Sequence, residues 1–154
     1  MPTRSLCHAR FEFRSRDDIA PIAGCVAAMA PYSRLLEVVL AELMLNAIEH
    51  GNLEIGGELK ADLMRRGELS DEIARRSSDA RYANRVAWLE VTAIRGDRLR
   101  LEVGDQGGGF AWRTVDVAAP TPSGGRGLAL ASALAPRGLM FNAAGNVVAL
   151  EVLA

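Results

Sequence analysis

Glu42, Asn46 and His50 recur at intervals of four residues, so a helix through them carries a carboxylate, an amide and an imidazole on one narrow stripe. An amide oxygen at Asn46 can ligate a hard cation such as Mg2+, which binds oxygen donors together with water and substrate phosphates. Glu42, one turn earlier, can take a proton from a nucleophile aimed at the same phosphates. The same three residues also suit a plain helix whose polar side chains bond neighbouring loops and whose terminal histidine is favoured by the helix dipole. Periodicity alone leaves both readings open.

Two glycine-rich segments carry further chemistry. Asp105-Gln106-Gly107-Gly108-Gly109 follows a strand-like run. Glycine lets backbone approach a flat ring or a phosphate without a Cβ clash, and an ionised Asp105 is acceptor-only, able to receive a hydrogen bond from an exocyclic amino group. A tight turn is the simpler alternative. Ser123-Gly124-Gly125-Arg126-Gly127 runs directly into Leu128-Ala129-Leu130. It can offer backbone N–H groups at a helix start to phosphate oxygens, with Arg126 adding charge; the simpler alternative is a flexible connector. The Gly-Lys-Ser/Thr ending of a Walker loop is absent, as is the HRD and DFG pair of protein kinases.

These groups need elements to hold them. Residues 6–13 read as a strand with Phe11 and Phe13 on one side, and residues 19–29 as a short helix that starts at Asp17 and Asp18, tolerates Pro21 in its opening turn and ends near Pro31. Ser33 is expected to cap a long helix to His50, stopped by Gly51. Of the fourteen residues 35–48, eleven are apolar, which predicts a helix covered on most sides. Residues 59–85 alternate charge, with Leu59/Leu63 and Leu69/Ile73 at four-residue spacing. They predict one or two solvent-facing helices broken near Gly67, either an amphipathic cover or a partner-docking surface. Strands are expected at 88–94 and 99–103 around Gly96-Asp97, and at 139–143 and 147–153 around Gly145-Asn146, with a helix over 127–135 ended by Pro136. Late strands joined by short turns predict an α/β fold with a largely antiparallel or mixed sheet and helices on one face; the crossovers of a doubly wound nucleotide fold are missing.

The 154 residues suit one domain burying about two-thirds of its unfolded surface. Balanced charge, 18 basic against 19 acidic residues, supplies no general field for nucleic acid or an anionic bilayer. Two cysteines, Cys7 and Cys25, and two histidines, His8 and His50, are too few for a disulfide scaffold or a four-ligand zinc centre. No apolar run approaches the roughly 20 residues of a membrane span, and a reducing, cytoplasmic setting is expected.

Taken together, the motifs resemble the GHKL ATPase superfamily, specifically the small anti-sigma-factor serine kinases of the RsbW/SpoIIAB type. Glu42-Leu43-Met44-Leu45-Asn46-Ala47-Ile48-Glu49-His50-Gly51-Asn52 resembles their N box, Asp105-Gln106-Gly107-Gly108-Gly109-Phe110 the first glycine box and Gly125-Arg126-Gly127-Leu128 the second. The resemblance implies a two-layer α/β sandwich whose mixed, mainly antiparallel sheet is covered on one face by helices, with ATP and Mg2+ between a helical layer and the loop before the Gly127 helix. It implies Glu42 as catalytic base, Asn46 as magnesium ligand and Asp105 as adenine reader. Gly107 and Gly109 would shape the nucleotide floor, Gly125, Arg126 and Gly127 would surround phosphate, and His50 and Leu128 would complete the nucleotide-binding set. The implied activity is an ATP-Mg2+-dependent serine/threonine protein kinase that phosphorylates a hydroxyl on an anti-anti-sigma-like partner and switches partners. A sigma factor or other regulator is the implied second partner, and a homodimer the implied assembly, without direct nucleic-acid or membrane contact. Residues 54–85 resemble an insertion found in relatives associated with phosphatase-containing regulators. The competing reading is a nucleotide-responsive regulatory binding module with little or no kinase activity. A histidine-kinase catalytic portion fits poorly, because no helical pair is left to present a phosphoacceptor.

Overall fold

Strand alternation puts apolar rows on one side of a sheet and charged rows on the other, and that asymmetry arranges everything else. The computed structural model describes residues 8–114, 116 and 126–154. Its sheet comprises β1 (His8–Phe13), β2 (Ala87–Ile94), β3 (Arg98–Gly104), β4 (Met140–Phe141) and β5 (Val147–Leu153), in the spatial order β1-β2-β3-β5-β4. Every pairing is antiparallel, so the parallel component of the expected mixed sheet does not occur among the described residues. Short turns account for this. Residues 95–97 join β2 to β3 as a three-residue hairpin loop in which Gly96 and Asp97 take positive φ, and so short a connection joins only antiparallel neighbours.

Register builds the core in rows. Phe11, Leu89, Val103 and Val148 lie opposite one another, as do Val91, Leu101 and Leu150, all on the helix-facing side. On the other side Arg10 pairs with Glu90, Arg98 with Glu151 and Arg100 with Glu102, while the Arg10 guanidinium lies 4.6 Å from the Trp88 ring centroid. Individually such exposed pairs contribute little. Collectively they let one face of the sheet remain in water.

The covering layer is α1 (Ile19–Ala27), α2 (Ser33–Asn46) and α5 (Arg126–Leu134), with α2 in the middle against β2 and β3. Ser33 does not cap α2. It is the first helical residue, and the Tyr32 carbonyl accepts the first turn's bond from the Leu36 N–H at 3.0 Å. Nor is α2 covered on most sides: Leu35 is 45% and Val38 50% exposed, beside an exposed Tyr32. The helix is apolar on more faces than the core requires. Past Asn46 it widens into a π-helical segment, Ala47–Asn52.

Residues 54–85 form α3 (Gly57–Arg66) and α4 (Leu69–Ser77), separated by Gly67 at φ 70°, as the glycine break required. They are the solvent-facing pair expected, with Leu63 buried and Leu59, Leu69 and Ile73 resting on the core. The expected strand over 139–143 shrinks to two residues. Asn142 Oδ1 accepts from the N–H groups of Gly145 and Val147 at 2.8 and 3.2 Å, turning the chain before more ladder can form.

Leu101 is fully buried at the centre of this sheet. Leu101→Ala is expected to lower unfolding free energy by about 2–5 kcal/mol, whereas Arg100→Ala on the solvent side should cost less than about 1 kcal/mol. Urea denaturation of the two variants beside the parent chain measures both.

Candidate functional site

Two glycines and one carboxylate lock the helical layer to the sheet. Gly51 does not stop the helix as expected but lies within the π-helical segment, which runs on to Asn52, and a Cβ there would overlap the carboxylate of Asp105, the first residue past β3. A Cβ on Gly107 would overlap the Gly51 carbonyl and lie 3.0 Å from Asp105 Oδ1. Side chains at either glycine would force the two layers apart, so motifs distant in sequence meet only because neither residue has one. The loop is held from several sides. The Gly107 N–H donates to Asp105 Oδ1 at 2.8 Å, the Asp105 N–H to the Asn146 carbonyl at 3.0 Å, and Asn146 Nδ2 to the Asp105 carbonyl at 2.7 Å.

Asp105 is 9% exposed. Burial pushes its carboxyl up to about 6, opposed by the Gly107 hydrogen bond and by the charge of Arg85. Its second oxygen accepts no hydrogen bond among the described residues.

The second cluster lies along α2. A Cβ on Gly127 would sit 2.8 Å from Glu42 Cβ and 3.5 Å from Asn46 Nδ2, so α5 crosses α2 directly over the acid and the amide. Glu42 and Asn46 are half-buried, and among the described residues neither side chain has a hydrogen-bond or ion-pair partner. Arg126 begins α5 and is exposed; Gly125 lies outside the described residues. Leu128 packs against the hydrophobic core, a structural position.

Two expected site residues are engaged elsewhere. The four-residue stripe assumed a straight α-helix as far as His50, but the π-helical turn changes the angular step after Asn46. His50 Nδ1 lies 2.6 Å from the Ile55 carbonyl, closing the loop after the helix, and burial together with the nearby Lys60 charge holds the imidazole below its usual range. Gly109 takes φ 74°, and a Cβ there would overlap the Ala144 carbonyl, so this glycine seats the loop on the β4–β5 hairpin. Phe110 and Trp112 flank Phe141 at the same place, with centroid separations of 5.5 and 5.2 Å.

Two residues inside the N-box-like run do work that their types alone did not assign. Glu49 is fully buried and ion-paired with Arg16 and with Lys60 at 2.6 Å from the latter. Burial raises its pKa, but the bonds and charges of Lys60 and Arg16 outweigh that and leave it below the usual carboxylate range. Asn52 Oδ1 accepts the Gln106 N–H at 2.8 Å, and Gln106 Oε1 in turn accepts the Val86 N–H at 2.8 Å. A buried acid paired with a lysine eleven positions later has no sequence signature. Asn52, next to Gly51, was legible only as part of the motif.

No protein-family model, curated protein or solved structure matches the chain. Among the described residues no three His, Cys, Asp or Glu side chains cluster as a metal site. A divalent cation here would therefore be held by Asn46 and by the phosphates of a ligand, a donor set that suits Mg2+ because that ion retains water and bridges to phosphate oxygens.

The Asp105 environment makes a pH prediction whose sign is fixed. With the folded pKa raised from 3.8 to about 6, the folded chain holds more proton than the unfolded chain between those values, so this group's contribution falls as pH rises through that window. Asp105→Asn keeps the acceptor for Gly107 and removes the charge. Its stability relative to the parent should rise between about pH 4 and about pH 7, by on the order of 2 kcal/mol. Urea midpoints at the two pH values give the difference, and an unchanged difference would exclude a buried, charged Asp105.

Proposed function

We propose that the chain binds ATP with Mg2+ between α2, the loop after β3 and the start of α5, and transfers the γ-phosphoryl group to a serine or threonine hydroxyl of an anti-anti-sigma-like protein, as in the GHKL serine kinases it resembles. The observation that carries this reading is the convergence of the three motifs: Gly51 and Gly107 close around Asp105 while Gly127 closes over Glu42 and Asn46. Each group then has one task. Asp105 presents an acceptor oxygen to the adenine amino group. Asn46 supplies an amide oxygen to the cation, and a bound Mg2+ would neutralise phosphate charge. Arg126 stands at the phosphate end. Glu42 accepts the proton of the attacking hydroxyl, so the new phosphate ester forms as the proton leaves.

A protein, rather than a small alcohol, is favoured by the face of α2 that leads to Glu42. Leu35, Val38, Glu42 and Asn46 follow one another at three- and four-residue steps, so a single face changes from exposed and apolar to polar at Glu42. A partner lying along Leu35 and Val38 brings a hydroxyl to the carboxylate. Partner switching, with a sigma factor or another regulator as the second protein and a homodimer as the working unit, belongs to the same proposal.

Separate substitutions test separate tasks. Asn46→Ala should remove most of the Mg2+ dependence of ATP affinity in calorimetric titrations with and without the ion. Glu42→Gln should leave ATP and partner affinity largely intact and slow single-turnover transfer of labelled γ-phosphate by about 100- to 10,000-fold. The partner would first be identified by capture with ATP and phosphosite mapping. Full transfer by Glu42→Gln refutes the base assignment; no transfer by the parent chain, despite binding of both ATP and partner, leaves a nucleotide-responsive binding module.

A further inference from the structure

On the far side of the π-helical segment from Glu42 lies a cleft of about 390 Å³, walled by the 3-10 turn Arg16–Asp18, the π segment and α4. That is within the range of sites for small molecules, about 300–1,000 Å³. Its walls sort by chemistry. Ile48, Leu53, Ile73 and the buried Tyr82 supply apolar surface, and Arg14, Arg16 and Arg85 supply positive charge. Asp17 is the lining acid.

The three arginines are not equally committed. Arg16 is paired with Glu49, and Arg85 with Glu54 at 2.7 Å while also donating to the Asn52 carbonyl at 2.9 Å. Arg14 has no carboxylate partner among the described residues; its guanidinium donates only to the Ala83 carbonyl, at 3.3 Å. The backbone that carries it is anchored, because the Asp18 carboxylate accepts the main-chain N–H groups of Arg14 and Ser15, both at 2.9 Å, and those bonds hold the Asp18 carboxyl below its usual range. Beside it the guanidinium carbons of Arg81 and Arg85 each lie 5.2 Å from the Tyr82 ring centroid, keeping cationic charge along one wall. An apolar body with one anionic head satisfies every feature of the cleft: the body lies on Ile48, Leu53 and Ile73, and the head meets the fork of Arg14.

We propose that this cleft is a binding site for a small organic carboxylate, separate from the ATP-binding surface and independent of that reading. It is mechanically joined to the loop after β3. Asn52 lines the cleft through one side and accepts the Gln106 N–H through the other, so occupancy is felt next to Asp105. The linkage needs no moving domain, only a shared side chain.

Phenylacetate and its neutral counterpart phenylacetamide are the probes, titrated into the 15N-labelled chain and read as amide shifts. Phenylacetate should give saturable shifts centred on Ser15, Leu53, Ser77 and Ala83, with a smaller shift at Gln106, and should bind about fivefold or more tighter than the amide, the ratio given by one partly exposed charge-assisted contact. Arg14→Gln should abolish that preference, and Arg14→Lys should retain part of it. Unsaturable or scattered shifts, equal affinity for acid and amide, or an acid preference that survives Arg14→Gln would each overturn the proposal.

Discussion

The contact on which the molecule depends is the one between Gly51 and the Asp105 loop. It joins the end of the central helix to the end of the central strand, so the separation of the two layers is set there by backbone against carboxylate rather than by side-chain packing. A methyl group at either Gly51 or Gly107 would hold the layers apart where Asn52 and Gln106 must hydrogen-bond. The hydrophobic rows of β2, β3 and β5 bring helix and sheet together without direction, since apolar burial is roughly proportional to area. Glycine and the Asn52–Gln106 bond choose the register. Core packing supplies the adhesion; a few small and polar groups supply the geometry.

At this contact α3 and α4 have a structural role. Arg76 donates to the carbonyls of Leu53 at 2.7 Å and Glu54 at 2.9 Å, and Arg85 to that of Asn52, so the carbonyl end of the π-helical segment is closed by cations from residues 57–85. Glu72 aims Arg76, bonding its Nε at 2.6 Å. Residues beyond α4 therefore support the turn that carries Gly51, and α3 supports it from below through Lys60 and Glu49. The charged helices are more than a solvated cover: their outer ion pairs are exposed and weak, while Arg76, Arg85 and Lys60 make the bonds that hold the π-helical turn carrying Gly51.

Much of this order could be read from residue types. The strands around Gly96-Asp97 and Gly145-Asn146, the break at Gly67 and the shared helix face of Glu42 and Asn46 follow from periodicity and turn chemistry, which are local properties; that the Asp105 and Gly127 loops belong with them was implied only by the resemblance. What escaped were features set by distant neighbours. The π-helical turn over Ala47–Asn52 has no signature in the residue types, and the contact of His50 with the Ile55 carbonyl depends on where the chain goes after the helix. The role of Gly109 depends on the Ala144 carbonyl, thirty-five positions away, and the exposed stripe of Leu35 and Val38 depends on where α1 and α5 stop covering α2. Sequence spacing assigns a residue to a face. It does not say what that face meets.

The two buried acids show how structural and functional carboxylates separate within one short turn. Glu49 has no exposure, yet each oxygen faces a cation, and the attraction of Lys60 and Arg16 exceeds the cost of removing it from water; its charge is internally compensated, and an added ligand has nothing to complete. Asp105 is nearly as buried, but its surroundings give it one N–H and a more distant arginine, so the desolvation cost wins and the proton is held more tightly. The chain could have paired Asp105 as it paired Glu49, at no greater cost in sequence. One oxygen of Asp105 has no partner among the described residues where Gly51 and Gly107 close on it, and under the proposed function a bound donor would supply that partner. The same reasoning extends to Glu42 and Asn46, half-buried beneath α5 without partners among the described residues. Polar groups that the described residues leave without partners are where the proposed ligand would supply the missing half, whereas Glu49 would gain nothing from one.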